Sequence, residues 1–361
     1  MNAATELPRN GNDLTVSWFE SVLSTTASPL RVASVQLAPI GEGAGMMSNL
    51  FRAVLTYAKG NGPASVVVKL PTHNEQNREV ARAFDNYRRE VEFYRRAAHA
   101  TPMRTAEVYL ARADSPTDFV LVLEDLSAWE QGDQVAGCSL PRAEAVMDAL
   151  ADLHAAFWEQ VDGGEMDWLP HSHPSVMSDG LAAGTEANYE QFARFFADDI
   201  APELRQAKAR YMAGLPAVQA WINASPRTVI HGDFRMDNLF FRPHAGGIEV
   251  ACCDWQAPVR GKGVQDIAYF LSGSVETAMR RAHEKALIAR WVNALRARGV
   301  RDYGEDQAFE DYRRAILMLW TYTVIIGGGL AAQNARAENW VTAMVRRSAA
   351  AMMDHDCLSM L

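Results

Sequence analysis

At 361 residues the chain is too long for one small core and suits one large domain or two modest ones. Its 44 acidic side chains outnumber 35 basic ones, and the net charge of −9 repels a phosphate backbone, which argues against nucleic acid as the main partner and disfavours anionic membrane surfaces. The 4 cysteines, two of them adjacent at Cys252 and Cys253, suit neither a disulfide framework nor a spaced zinc pattern, so a reducing cytoplasm is expected.

The first residues, MNAATELPRNGNDL, carry neither the basic start nor the apolar core of a secretion signal. From about Leu30 to Asp125 strand signals dominate: LRVASVQLAPI, NLFRAVLTY, ASVVVKL and DFVLVLEDL. Between the first two lies IGEGAGMMSN, where Gly41, Gly43 and Gly45 would let backbone N–H groups approach phosphates; a plain hairpin is the bland alternative. Lys69 closes ASVVVKL, and strand alternation turns it to the face opposite its neighbours. Val80, Phe84, Tyr87, Val91, Tyr94 and Ala98 then recur at spacings of four and three, as on one helical stripe. Glu90 and Glu92 lie on this helix about 200° apart. Glu90 borders the stripe and can reach Lys69, an ion pair that would hold the lysine against nucleotide phosphates, while Glu92 is expected to point to solvent.

Beyond Pro141 the character turns helical, in RAEAVMDALADLHAAFW, NYEQFARFFADDI and EKALIARWVNALRARG. In the second of these Tyr189, Phe192, Phe195 and Phe196 are expected on one face. The uncharged run Ala315 to Ala332 approaches membrane-spanning length, but Thr-Tyr-Thr and a triple glycine restrict its strongly apolar part to Ile316 to Ile326, so it reads as a core helix and no membrane span is expected. The change in character near LEDLSAWEQGDQ places the boundary between a sheet-rich lobe, residues 1–125, and a helix-rich lobe, residues 126–361. A ligand cleft commonly lies between such lobes.

Within the helical part, VIHGDFRMDNLFF sets His231, Asp233 and Asn238 between two strand-like runs, and ACCDWQ delivers Asp254 at the end of another. Two strands joined by a tight turn would bring Asn238 and Asp254 together. One carboxylate and one amide oxygen, completed by water and phosphate, suit Mg²⁺, and Asp233 is left to accept a proton from an attacking hydroxyl. Each residue has a plainer reading. Asp233 and Asn238 could simply shape a turn, Lys69 could be an edge lysine, and Glu90 could solvate its helix. His231 and His154 read as hydrogen-bonded core histidines, and Asp266 as a structural tie between the turn and the following helix. A different chemistry from the same atoms would have His231, Asp233 and Asp254 bind a transition metal for hydrolysis.

The order glycine loop, strand lysine, helix glutamate, H-G-D-x-x-x-x-N and D-W-Q resembles the protein-kinase-like fold in its small-molecule branch. DLTVSWFESVL, E-x-x-F-Y from Glu90 to Tyr94, ALADLHAAFW and DWQAPVRGKGVQDIAYFL are most similar to the ecdysteroid kinase-like family, related to aminoglycoside phosphotransferases and choline kinases. The resemblance implies a two-lobed α+β protein: an N-terminal antiparallel sheet with one key helix, then a mostly helical lobe. It also implies transfer of the γ-phosphate of ATP, with Mg²⁺, to a hydroxyl of a small organic molecule. In that reading Asp233 is the base, Asn238 and Asp254 hold the metal, and Lys69, fixed by Glu90, neutralises phosphate charge beside Gly43, Gly45 and the Ser48 hydroxyl. Backbone groups from Glu124 to Leu126 would meet the adenine. The chain lacks H-R-D, the glycine of D-F-G and A-P-E, so a regulated activation loop is not expected. The aromatic segments, with Trp320 and Tyr322, favour a largely apolar alcohol; an aminoglycoside or choline-type acceptor is the alternative, and a catalytically silent nucleotide-binding scaffold is the rival of another class.

Overall fold

The computed structural model describes residues 6–26, 28–41, 47–329 and 335–361. The chain forms two compact units, one built from Met1–His99, Thr105–Ala128 and Asp254–Gln256, the other from Ala100–Arg104, Trp129–Cys253 and Ala257–Leu361. In the first, β1 (Arg31–Ile40), β2 (Ser48–Lys59), β3 (Ser65–Pro71), β4 (Val108–Ser115) and β5 (Asp118–Glu124) make an antiparallel sheet in the order β1-β2-β3-β5-β4. Val66, Val68 and Leu70 of β3 pack with Trp18 and Phe19 of α1 (Val16–Leu23) and with Leu30, Leu55, Val120 and Val122. Burying side chains of this kind stabilises by about 1.5–3 kcal/mol each. With that face of β3 committed to the core, period-two alternation sends Lys69 to the other.

The expected single stripe from Val80 to Ala98 is broken into α2 (Glu75–Ala83), α3 (Asn86–Glu92) and a π-helical turn, Phe93–Ala97. The break falls at Asp85, whose φ of 54° is a left-handed conformation that aspartate tolerates better than most residues. Val80 is consequently exposed, whereas Tyr87, Val91 and Tyr94 are buried. Glu92 also departs from expectation. It is buried rather than solvated, and its carboxylate pairs with Arg96 Nε at 2.5 Å and Arg95 Nη1 at 3.5 Å. Tyr87 fixes α3 to the sheet: its ring stacks on Phe119 at 4.2 Å, and its hydroxyl accepts from Thr72 N–H and donates to the Met47 carbonyl at 2.6 Å.

The second unit is mainly helical, with α4 (Leu140–Ala156), α5 (Val176–Phe195), α6 (Lys208–Ile222), α7 (Val264–Gly273), α8 (Thr277–Ala297), α9 (Glu305–Gly328) and α10 (Ala335–Asp354). Two small sheets interrupt them: β6 (Thr228–Ile230) with β9 (Val259–Gly261), and the hairpin of β7 (Leu239–His244) and β8 (Gly247–Cys252), which is flanked by two-residue strands at Arg104–Thr105 and Glu130–Gln131. The strongly apolar part, Ile316 to Ile326, lies inside α9 and is mostly buried, and among the described residues no helix is long and apolar enough to cross a membrane. Glycine serves there as a contact surface. A Cβ at Gly327 would stand 2.8 Å from the Phe192 ring, and one at Gly328 would stand 2.6 Å from the Asn188 carbonyl oxygen.

Of the four aromatics expected to cluster, three are core and not a ligand wall. Tyr189, Phe192 and Phe196 are buried around Trp320, whose indole N–H donates to the Tyr189 hydroxyl at 3.3 Å. Phe195 does not share their face: it is 59% exposed, because one residue before Phe196 is about 100° of helical rotation.

Candidate active site

The loop joining β6 to β7 is shaped by groups that reach it from other elements. Gly232 has φ +82°, and a Cβ there would lie 2.4 Å from the Ala257 carbonyl oxygen, so only glycine fits. Asp266, fully buried in the first turn of α7, accepts the backbone N–H groups of His231 at 2.7 Å and Gly232 at 3.1 Å. Behind it Trp291 donates its indole N–H to His154 Nδ1 at 3.2 Å. An indole can only donate, so the His154 proton sits on Nε2, which faces Asp266 Oδ2 at 3.4 Å. The turn thus hangs on a buried chain from α8 through α4 to α7.

His231 is committed in the same way. Its Nδ1 accepts from Asp233 N–H at 3.2 Å, so Nε2 carries the proton and donates to the Cys253 carbonyl at 3.0 Å. Both ring nitrogens are engaged, which removes His231 from the ligand set of a hydrolytic metal site. Among the described residues there is no group of three or more His, Cys, Asp or Glu that could hold a metal ion.

Asp233 projects from this turn with its carboxylate held at two points. Asn238 donates its amide N–H₂ to Asp233 Oδ2 at 3.2 Å and to the Asp233 carbonyl at 2.9 Å, and the Tyr269 hydroxyl of α7 donates to Oδ1 at 2.9 Å. Arg235 Nε lies 3.5 Å from Oδ2, while its Nη1 donates to Asp237 at 3.0 Å and its guanidinium covers the Trp340 ring at 5.0 Å. Because both atoms facing the Asn238 amide are oxygens, its N–H₂ end must point to Asp233, and Oδ1 is the end left for a cation. The Asn238 carbonyl accepts from Cys253 N–H at 3.0 Å, at the foot of the β7–β8 hairpin and one residue before Asp254.

In the first unit, Lys69, Glu90 and Asp254 come together. Lys69 Nζ lies 2.7 Å from Glu90 Oε2, 2.9 Å from Glu90 Oε1 and 2.5 Å from Asp254 Oδ1. Burial works against the Lys69 charge, but the Asp254 and Glu90 carboxylates outweigh it and hold the ammonium's pKa above that of an ordinary lysine. Burial pushes the Glu90 carboxyl up to about 7, with Lys69 pulling it down and Asp254 adding to the rise. Asp254 has φ +65°, and its side chain keeps 29% exposure. Phe93 stacks on the neighbouring Trp255 at 3.6 Å and anchors this end of the helix. The Asp254 carboxylate and the Asn238 amide oxygen are each hard donors of the kind Mg²⁺ takes.

Of the remaining expected site residues, Ser48 is buried, and its hydroxyl has no hydrogen-bond partner among the described residues. Glu124 gives its backbone N–H to the Glu107 carbonyl at 2.8 Å, and Leu126 is buried in the short turn that follows. Gly43 and Gly45 lie outside the described residues. Sequence reasoning passed over Tyr269 and Gln134. The Gln134 side-chain oxygen accepts from Met236 N–H at 3.1 Å, and the Gln134 backbone N–H donates to Asp237 Oδ1 at 2.9 Å, bracing the loop. Tyr269 stands three residues after Asp266 on one helical face, a spacing visible in QDIAYFL.

A mouse protein, acyl-CoA dehydrogenase family member 10, is 33% identical over 73 residues, which is 18% of this chain and 7% of the mouse protein, so the chain spans only a small part of that relative. Three solved structures share the fold: the ethanolamine kinase of Plasmodium vivax (12% identity, 88% of this chain and 82% of that one, TM-score 0.55), an aminoglycoside 2'-phosphotransferase-IIIa in a GDP complex (12%, 88% and 93%, 0.55), and an amicoumacin kinase in complex with AMP-PNP and Ca²⁺ (12%, 94% and 92%, 0.53). The family model for ecdysteroid kinase-like proteins matches residues 42–299, and with the α+β architecture it establishes that the chain belongs to the ecdysteroid kinase-like family of small-molecule kinases.

Proposed function

We propose that the protein transfers the γ-phosphate of ATP, with Mg²⁺, to a hydroxyl of a small, largely apolar organic molecule in the cytoplasm. The observation that carries this reading is the Lys69 ammonium held between Glu90 and Asp254, since a strand lysine paired with a helix glutamate is the arrangement that meets nucleotide phosphates in kinases. Asp233 accepts the proton of the attacking hydroxyl, and Asn238 and Asp254 hold the metal, which when bound neutralises charge on the phosphates. The Ser48 hydroxyl, which has no partner among the described residues, is a further donor for phosphate, and the backbone from Glu124 to Leu126 meets the base. Gly43 and Gly45 complete the loop in this reading. Lobes comprising residues 1–125 and 126–361 would then divide nucleotide binding from acceptor binding.

The preference for a largely apolar acceptor rests on the Tyr269 ring, whose hydroxyl meets Asp233 at 2.9 Å and whose ring meets that of Tyr322 at 6.1 Å. The deciding experiment is a transfer assay with Mg-ATP across long-chain alcohols, sterols, choline, ethanolamine and kanamycin. Transfer to a lipophilic alcohol supports the reading; efficient transfer to kanamycin alone overturns the acceptor class, and nucleotide binding with no transfer to any acceptor supports a silent scaffold.

A further inference from the structure

Tyr269 carries a role that the phosphotransfer reading leaves unassigned. It rises from α7 three residues after Asp266, so one helical face presents two groups to one turn: a carboxylate that grips the backbone of His231 and Gly232, and a phenol that meets the side chain of Asp233 at 2.9 Å. The tyrosine ring is half-buried and meets the edge of Tyr322 at 6.1 Å and 73°, which fixes where its hydroxyl can point. Burial first, and then the Asp233 charge, raises the phenol's pKa well above its ordinary value, so the hydroxyl keeps its proton at any working pH and acts as a donor.

A free carboxylate can rotate about its Cβ–Cγ bond. In Asp233 one oxygen is tied to Asn238 and the other to Tyr269, and two anchors on different atoms stop that rotation. The lone pairs left over then face a constant direction. This matters for proton transfer, because a base must be within hydrogen-bond reach of the proton it takes and small misplacements are costly.

We propose that Tyr269 is a positioning residue for the transfer step, holding Oδ1 of Asp233 so that the carboxylate stays aimed at the acceptor hydroxyl. The inference rests on the phosphotransfer reading above. In that step the acceptor oxygen bonds to the γ-phosphorus as the bond from that phosphorus to the leaving nucleoside diphosphate breaks. The electron pair of the broken bond stays on the diphosphate, and the hydroxyl proton passes to Asp233. Tyr269 neither gives nor takes a proton.

The test is a mutant cycle of Tyr269→Phe and Asp233→Ala, assayed with Mg-ATP and the best acceptor of the panel, and separately by thermal unfolding without nucleotide. Tyr269→Phe removes one oxygen and keeps the ring against Tyr322. It is expected to lower kcat on the order of 10-fold, with KM for ATP and for the acceptor within about twofold. In the Asp233→Ala background the same change should cost no further rate. In unfolding, the hydroxyl should raise Tm by about 2–4 °C when Asp233 is present and have no effect when it is absent. An unchanged kcat in Tyr269→Phe, an equal loss in the Asp233→Ala background, or additive Tm shifts would overturn the positioning role alone. A wild type that binds Mg-ATP but transfers phosphate to no acceptor would overturn the phosphotransfer reading and this role with it, even where the Tm coupling is found.

Discussion

Glu90 and Lys69 are buried together with 2.7 Å between carboxylate and ammonium, yet the lysine also faces Asp254 at 2.5 Å, so two carboxylates share one cation. Burial therefore lifts the Glu90 pKa to about 7 from an ordinary 4.5. A raised carboxyl binds its proton more tightly in the folded chain. Its contribution to stability is full below about 4.5 and is lost as pH rises through about 7. Glu90→Gln, which cannot ionise, should thus gain stability relative to wild type as pH is raised across that window. Urea unfolding in chelator at several pH values checks this, and a constant difference between the two proteins would count against a raised Glu90.

Asp233→Asn keeps the size of the side chain and removes the base. Transfer should fall on the order of 10²- to 10⁴-fold. Nucleotide affinity should hold, because the proposed phosphate-binding groups, Lys69 and Asp254, are untouched. Calorimetry for binding beside a labelled-phosphate assay for transfer separates the two effects, and near-normal transfer would remove Asp233 from the mechanism.

Asp266→Ala acts on the loop without touching the proposed reacting groups. Two buried backbone N–H groups, of His231 and Gly232, would lose their acceptor, and His154 would lose the partner of its Nε2 proton. Each orphaned donor costs about 1–3 kcal/mol, so a loss of at least about 2 kcal/mol is expected in denaturant unfolding, with turnover reduced in parallel. Stability within about 0.5 kcal/mol of wild type, the range of a neutral surface change, would show that the loop is held by other means.

Local pattern made part of this site readable. Strand alternation in ASVVVKL places Lys69 opposite the core valines, and helical phase picks Glu90 over Glu92 because only a few residues separate Glu90 from the buried Tyr87 and Val91. The same arithmetic failed on Glu92, because it assumed an unbroken α-helix where the chain has a left-handed residue at Asp85 and a π-helical turn from Phe93. Tyr269 was hidden for another reason. Its partner lies 36 residues earlier, and no periodicity links a helix face to a preceding loop. The aromatics near the end of α5 were readable as a cluster, either core or ligand wall, and Trp320 from α9 is what decides for core. Gly327 and Gly328 look in sequence like helix breakers, and it is the proximity of Phe192 and Asn188 that makes them helix contacts.

The φ of +65° at Asp254 has an energetic consequence separate from its charge. A side chain in that region is strained by roughly 1 kcal/mol, and glycine is not. Asp254→Gly and Asp254→Ala both delete the carboxylate, but only the first also relaxes the backbone, so the glycine variant should be the more stable of the pair by about 1 kcal/mol. Neither should show the roughly 2.7 kcal/mol of stabilisation that Mg-ATP at about 100 times its Kd gives a competent site. If thermal melts rank alanine level with glycine, the torsion is relaxed. If glycine leads, the chain gives up fold stability at this one peptide to keep a carboxylate aimed where it is, and a stability-guided redesign would erase the activity by improving the protein.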